Sequence, residues 1–321
     1  MPKHMDLMRR GPVCFGAVLF LALCFGSGIA GADIVSDVRA QAAQGSLAAA
    51  ETILNTYKNQ NGVTPEYLEA LSWMARGAAA SKQWDQAATY ATETRTLTEQ
   101  QLTKTKRKLD DEPHLPIALG ASYEVLAQEM AAKGQQAKAV TLLRSALARY
   151  GNTSIRPRLQ KNLNLMVLVG QPAPPLQETD YLGPKPPTLA ALKGSPILLF
   201  FWAHWCGDCK AEAPVIARLR QEFNSAGLVV IGPTKLYGYA AQGADATPEQ
   251  EHAYIEAVRE KYYASLLDMP VPVSGQNFNS YGASTTPTVV VLNRAGKVEM
   301  YHPGALSYEE LRAAVEKAIA R

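Results

Sequence analysis

Residues 202–214 read Trp-Ala-His-Trp-Cys-Gly-Asp-Cys-Lys-Ala-Glu-Ala-Pro and follow directly on the apolar run 197–201. Cys206 and Cys209 therefore stand where a buried strand hands over to a helix. At the first turn of that helix, unpaired backbone N–H groups and the positive dipole end face Cys206. They stabilise its thiolate, so the expected thiol pKa lies below the reference of about 8.5. Cys209 follows one turn later on the same face and deeper. One sulfur attacks a disulfide and the other displaces it from the resulting mixed disulfide, which is the requirement for thiol–disulfide exchange. The competing use of such a pair is half of a zinc site. That needs two further ligands, but no second Cys pair exists and His204 is expected to point elsewhere. Neither a metal nor a cofactor is expected.

The elements that must hold this site alternate. The pattern predicts a strand over 196–202, a helix over 206–223 with Pro214 inside it as a kink, and a strand over 228–232. A helix follows over 248–263, opened by Thr247 as N-cap with proline at its first position. A short helix covers 277–281, and 288–293 with 297–301 form a hairpin. A last helix spans 307–320, with Ser307 and Glu310 as its capping box. Trp202 is expected in the core and Trp205 at the surface beside the reactive sulfur. The stretch 233–247, with Tyr237 and Tyr239, is a long loop that either shapes a substrate groove or decorates the fold.

Upstream the composition changes. Residues 33–168 read as helices throughout, and 45–57, 71–94 and 123–147 share a pattern of small and large residues. Ala50, Ala87 and Ala139 match across them at spacings of 37 and 52, so the second interval holds an insertion over 97–115. The pattern is similar to degenerate tetratricopeptide repeats, whose period is about 34 residues; an irregular helical bundle is the alternative. Residues 169–187 carry six prolines, which forbid helix and mark a linker leading into a second domain over 188–321.

Residues 1–32 have the layout of a secretory signal peptide, with Lys3, Arg9 and Arg10 ahead of an apolar centre and a small-residue end before Asp33. Retention as a membrane anchor is the alternative. Removing them takes away a net of +2 and leaves a formal charge of about +1 from the whole chain's +3. A nearly neutral chain with no isolated basic run gives no reason to expect nucleic acid as partner. With 47% hydrophobic and 19% charged residues it reads as globular, long enough for two cores. Of four cysteines, Cys14 and Cys24 fall in the leader, so an exported product keeps one close pair, too few for a structural disulfide framework.

Three motifs carry a resemblance: Gly170-Gln171-Pro172-Ala173-Pro174, the run from Phe201 to Cys209, and Thr286-Pro287-Thr288 ahead of a strand. From about 170 to 321 the chain resembles the thioredoxin superfamily, close to the TlpA and ResA branch of exported thiol–disulfide oxidoreductases. The resemblance implies an α/β thioredoxin-like domain following the all-α one, and a redox-active Cys206–Cys209 disulfide. Cys206 would be the nucleophile and Cys209 the resolving thiol. It also implies a cis bond before Pro287, with Thr286, Pro287 and Trp205 meeting the substrate. Where thioredoxin itself carries a buried Asp beneath the cysteines, this chain has Phe200; the branch instead places a Glu at the position of Glu212, a possible proton acceptor. The Gly207-Asp208 dipeptide sets a negative charge near Cys206 and leans toward reduction. The partners implied are proteins with disulfides and a membrane thiol electron donor. The alternatives are a mild oxidase or isomerase, or a peptide-binding adaptor that uses the helical repeats with a protein partner of its own.

Overall fold

The structure, a computed structural model, describes residues 33–320. The expected leader at 1–32, with Cys14 and Cys24, lies outside the described residues. No helix among the described residues is long and apolar enough to cross a membrane.

Seven helices come first: α1 (Ile34–Ala43), α2 (Leu47–Asn61), α3 (Pro65–Ala80), α4 (Trp84–Thr105), α5 (His114–Ala132), α6 (Gln136–Tyr150) and α7 (Arg156–Val167). The pairs α1–α2, α3–α4 and α5–α6 are joined by one and the same turn. A left-handed residue closes the first helix of each pair: Gly45, Lys82 and Gly134, at φ 75°, 58° and 73°. The next N–H reaches back to a carbonyl in the last turn of that helix, as in Ser46 N to Gln41 O, Gln83 N to Ala78 O and Gln135 N to Met130 O. Five residues beyond each left-handed position stand Ala50, Ala87 and Ala139, all fully buried. A small side chain there lets the second helix lie close on the first. The matching alanines thus mark one local geometry used three times.

The expected insertion over 97–115 has a mixed character. α4 runs on to Thr105, so its first part is a helix extension, and the chain leaves the helix only at Lys106, where φ is 55°. No Gly or Pro interrupts α4, and the buried hydroxyls of Thr94 and Thr98 are satisfied by the carbonyls of Tyr90 and Thr94.

The second half holds β1 (Tyr181–Leu182), β2 (Ile197–Phe201), α8 (Gly207–Glu222), β3 (Val229–Ile231), α9 (Pro248–Tyr262), β4 (Val271–Pro272), α10 (Gly275–Tyr281), β5 (Thr288–Leu292), β6 (Val298–Pro303) and α11 (Tyr308–Ile319). The main sheet has order β3-β2-β5-β6; β3 is parallel to β2, and β5 is antiparallel to both β2 and β6. Every residue of β2 and β5 is buried, because both faces of the sheet are covered. Leu198, Phe200 and Trp202 face one core with Ile216 and Leu219 of α8 and Leu311 and Val315 of α11. Ile197, Leu199 and Phe201 face the other, with Phe278 and Tyr281 of α10. α8 runs through Pro214, which has no N–H to offer the Lys210 carbonyl.

The Pro-rich stretch is extended, as its prolines dictate, but it is not a loose tether. Gly170 N donates to Val298 O at 2.7 Å and Val298 N to Gln171 O at 2.9 Å, adding the stretch to the β6 edge. Asn277 brackets Gln177, accepting from its N–H at 2.7 Å and donating to its carbonyl at 3.0 Å. Across the junction of the two halves, Asn164 of α7 donates to Tyr281 O at 2.9 Å. Gly282, at φ 63°, lies so close to α7 that a Cβ there would sit 2.2 Å from Lys161 N. The helical half and the α/β half therefore meet backbone to backbone.

Candidate functional site

β2 delivers the chain to the site and α8 begins on it. Cys206 is the N-cap of α8, and the N–H of Cys209 donates to Cys206 Sγ at 3.0 Å. The two sulfurs form a disulfide, with Cα atoms 5.3 Å apart. Cys206 keeps 4% of its surface exposed and Cys209 none. An incoming group can reach only the first sulfur, and a thiolate there would meet the amide N–H of Cys209 and the positive end of α8.

β5 supplies the other side. Phe201 pairs with Thr288, so the end of β2 and the start of β5 lie side by side. The Thr286–Pro287 peptide, which is cis, is thereby held next to the Cys-bearing turn. Thr286 Oγ1 is buried with no hydrogen-bond partner among the described residues. Trp205 stands 49% exposed immediately before Cys206, whereas Trp202 is fully buried and donates from Nε1 to Gly232 O at 2.9 Å.

Glu212 lies one turn beyond Cys209 on α8 and is buried. Burial pushes its carboxyl up to about 7, an effect opposed by the Leu306 N–H and reinforced by Asp208. The Leu306 N–H reaches Oε1 at 3.0 Å, while Oε2 has no hydrogen-bond partner among the described residues. Phe200, beneath the cysteines, is fully buried and packs at a tilt against Tyr263. The buried carboxyl group on this side of the pair is thus carried by the helix, while the strand position holds Phe200.

His204 turns away from the sulfurs into a buried pocket of its own. Its Nε2 lies 3.2 Å from Glu251 Oε1, and its ring is packed edge-on by Tyr237, Tyr239 and Tyr254. Burial lowers its pKa, outweighing the pull of Glu251 in the other direction. Glu251 also accepts the backbone N–H groups of Tyr237 at 2.6 Å and Gly238 at 2.7 Å. It therefore pins the 233–247 loop, and Tyr237 in turn packs edge-on against Trp205. In sequence Glu251 is indistinguishable from any acidic residue in the first turn of a helix, so nothing in the pattern singled it out. Among the described residues no group of three or more His, Cys, Asp or Glu is arranged to hold a metal.

Replacing Glu251 with Ala is expected to leave both loop amides without their acceptor. The expected cost is about 2 kcal/mol of local stability. Hydrogen exchange should show the Tyr237 and Gly238 amides opening at least about tenfold faster. Unchanged protection would mean that the loop is held by its aromatic packing alone.

Residues 168–319 match the Redoxin family model. Thioredoxin-like protein YneN of Bacillus subtilis is 27% identical over 143 residues, covering 44% of this chain and 75% of that protein. Thiol-disulfide oxidoreductase ResA of Bacillus thuringiensis is 27% identical over 153 residues, covering 46% and 78%. Among solved structures, a thioredoxin family thiol:disulfide interchange protein from Chlorobium tepidum aligns over 46% of this chain and 96% of its own, at 20% identity and a TM-score of 0.35. The family match covers the strands and helices that carry the Cys motif and the cis proline, and it begins where the all-helical half ends. Over residues 168–319 the chain carries a thioredoxin-like α/β domain that matches the Redoxin family and is similar to ResA-type thiol–disulfide oxidoreductases, and this domain follows an all-helical one.

Proposed function

We propose that this protein reduces disulfides of polypeptides outside the cytoplasm, with Cys206 as nucleophile, Cys209 as resolving thiol and Glu212 as proton acceptor. The observation that carries the reading is the asymmetry of the pair: one sulfur reachable at a helix N-terminus, the other sealed one turn below it.

Starting from the dithiol, the Cys206 thiolate attacks one sulfur of the substrate disulfide. A bond from Cys206 Sγ to that sulfur forms, and the other substrate sulfur leaves as a thiolate and takes up a proton. Cys209 then yields its proton to Glu212 and attacks Cys206 Sγ. The mixed disulfide breaks, the second substrate sulfur leaves as a thiolate and takes up a proton, and the Cys206–Cys209 bond closes. Two electrons have passed to the substrate. A membrane-embedded thiol carrier would return them by the reverse exchange. Trp205 would offer an apolar contact beside the reacting sulfur. The Thr286–Pro287 segment would pair with extended substrate backbone.

In this reading residues 1–32 direct export or anchor the chain. Residues 33–168 are a helical domain of tetratricopeptide-like hairpins with a protein partner of its own. Residues 169–187 lead into the exchange domain at 188–321. The reduction potential of the Cys206–Cys209 couple tests the direction, measured together with turnover on a disulfide-bonded protein. A value at or below about −200 mV with turnover supports a reductant. A value near about −120 mV would make the protein an oxidant instead.

A further inference from the structure

A cleft of about 340 Å³ lies between the two halves and ends on the Cys motif. The α/β side is formed by Trp205, Lys235, Tyr237 and Thr286; the helical side by Pro116 and Ile117 of α5, Ile155, and Pro157 and Arg158 of α7. Ile117 is 36% exposed and Trp205 49%, so both walls of the cleft offer an open apolar side chain. Thr286, whose buried hydroxyl has no hydrogen-bond partner among the described residues, is part of the same wall.

The helical wall is fixed in place. Arg158 ties α7 to α5 through Glu124 at 3.1 Å and through the Ile117 carbonyl at 3.3 Å. Ser154 is held by Asp110, and the junction at Asn164 and Gly282 closes backbone to backbone behind it. No acidic residue lines the cleft. Lys235 is half-buried over the rings of Tyr237 and Phe278, at 4.7 and 5.6 Å, and forms no salt bridge with a carboxylate of the described residues.

We infer that this cleft seats the substrate chain flanking the reacting cysteine, so that the helical domain selects which disulfides reach Cys206. The occupant is an extended polypeptide segment with an apolar side chain against Ile117 and a carboxylate facing Lys235. The cleft reaches Trp205, the residue before the reactive cysteine, and its apolar walls and a lysine that forms no salt bridge among the described residues set that chemistry. The inference rests on the exchange reading above and goes beyond it, because the helical wall lies outside the residues that match the family.

The test uses the reduced full chain and peptides whose one cysteine is linked to thionitrobenzoate, with Leu before and Glu after the cysteine, or Gly before and Lys after. A thionitrobenzoate disulfide of a simple alkyl thiol is the reference. The release rate of thionitrobenzoate is read for each. The Leu/Glu peptide is expected to react about tenfold faster than the Gly/Lys peptide. Lys235→Glu should reverse that order, and Ile117→Asp should cut the peptide-to-alkyl rate ratio about tenfold. Thermal unfolding checks that each variant folds, and Lys235→Gln, which removes the charge without adding an opposite one at this half-buried position, should abolish the preference for the Leu/Glu peptide if Lys235→Glu does not fold. No peptide preference, or a preference that both variants retain, overturns the inference. A dimer in sedimentation that Ile117→Asp dissociates would assign the cleft to a second copy and overturn it as well. If the wild-type chain fails to react even with the alkyl disulfide, the exchange reading itself falls.

Discussion

Cys206→Ser is expected to lower disulfide reduction by roughly 10³-fold or more, to the rate without protein. A serine hydroxyl does not ionise near neutral pH and forms no stable bond to a substrate sulfur. Cys209 cannot take over, because it is fully buried beneath Cys206. Cys209→Ser should behave differently. The outer thiol is still free to attack, but no second sulfur is left to displace the product. The variant should accumulate a covalent complex with its substrate, visible on a non-reducing gel and dispersed by a small thiol. If Cys206→Ser retained turnover and Cys209→Ser trapped nothing, the order of attack would be reversed. An adaptor that used the α/β domain as a rigid support would bind its partner equally well in both variants and trap neither.

Glu212→Gln is expected to slow turnover about 10²-fold at pH 8 and to remove an inflection near neutrality. Burial places the Glu212 carboxyl at about 7, so in the wild type it can accept the Cys209 proton only as the pH rises through that region. The same shift makes stability depend on pH. The folded state holds this proton more tightly than the unfolded chain does. The contribution is therefore complete below the unfolded value of 4.5 and is lost as pH rises to about 7. After allowing for residual solvent screening, the loss is on the order of 2 kcal/mol. Glutamine carries no such charge. The variant should match the wild type in denaturant melts at pH 4 and exceed it at pH 8, where it is also slower. A Glu212 that served only the packing would show the stability crossover without the kinetic loss; that outcome would remove it from the proton-transfer step.

The parts of this architecture that follow from local rules were legible in the residues. The Cys pair at a strand-to-helix handover needs only a run of apolar residues and a spacing of three. The capping box of Ser307 and Glu310 and the Thr247 cap formed where the first-turn chemistry places them. The three buried alanines were visible because each sits a fixed five residues beyond the same turn, and a repeated turn writes a repeated pattern. The fold of the α/β half was likewise carried by short motifs, and the family match covers that half.

Other features depend on residues far apart in the chain. Glu212 met the Leu306 N–H 94 positions away, and His204 met Glu251 47 positions away. Whether Glu212 was a solvated helix residue or a buried acid turned on what covered α8, which its neighbours in sequence do not specify. The Pro-rich stretch read as a tether because prolines report only what the backbone cannot do; hydrogen bonds to β6 and Asn277 made it part of the structure. The placing of Ile117 opposite Trp205 came from the close backbone approach at Gly282. Sequence alone placed the Cys pair on its strand-to-helix turn, since backbone geometry acts over a few residues. What surrounds that turn, and how its acids are tuned, was decided by the packing of distant segments, because burial and desolvation belong to the assembled tertiary structure.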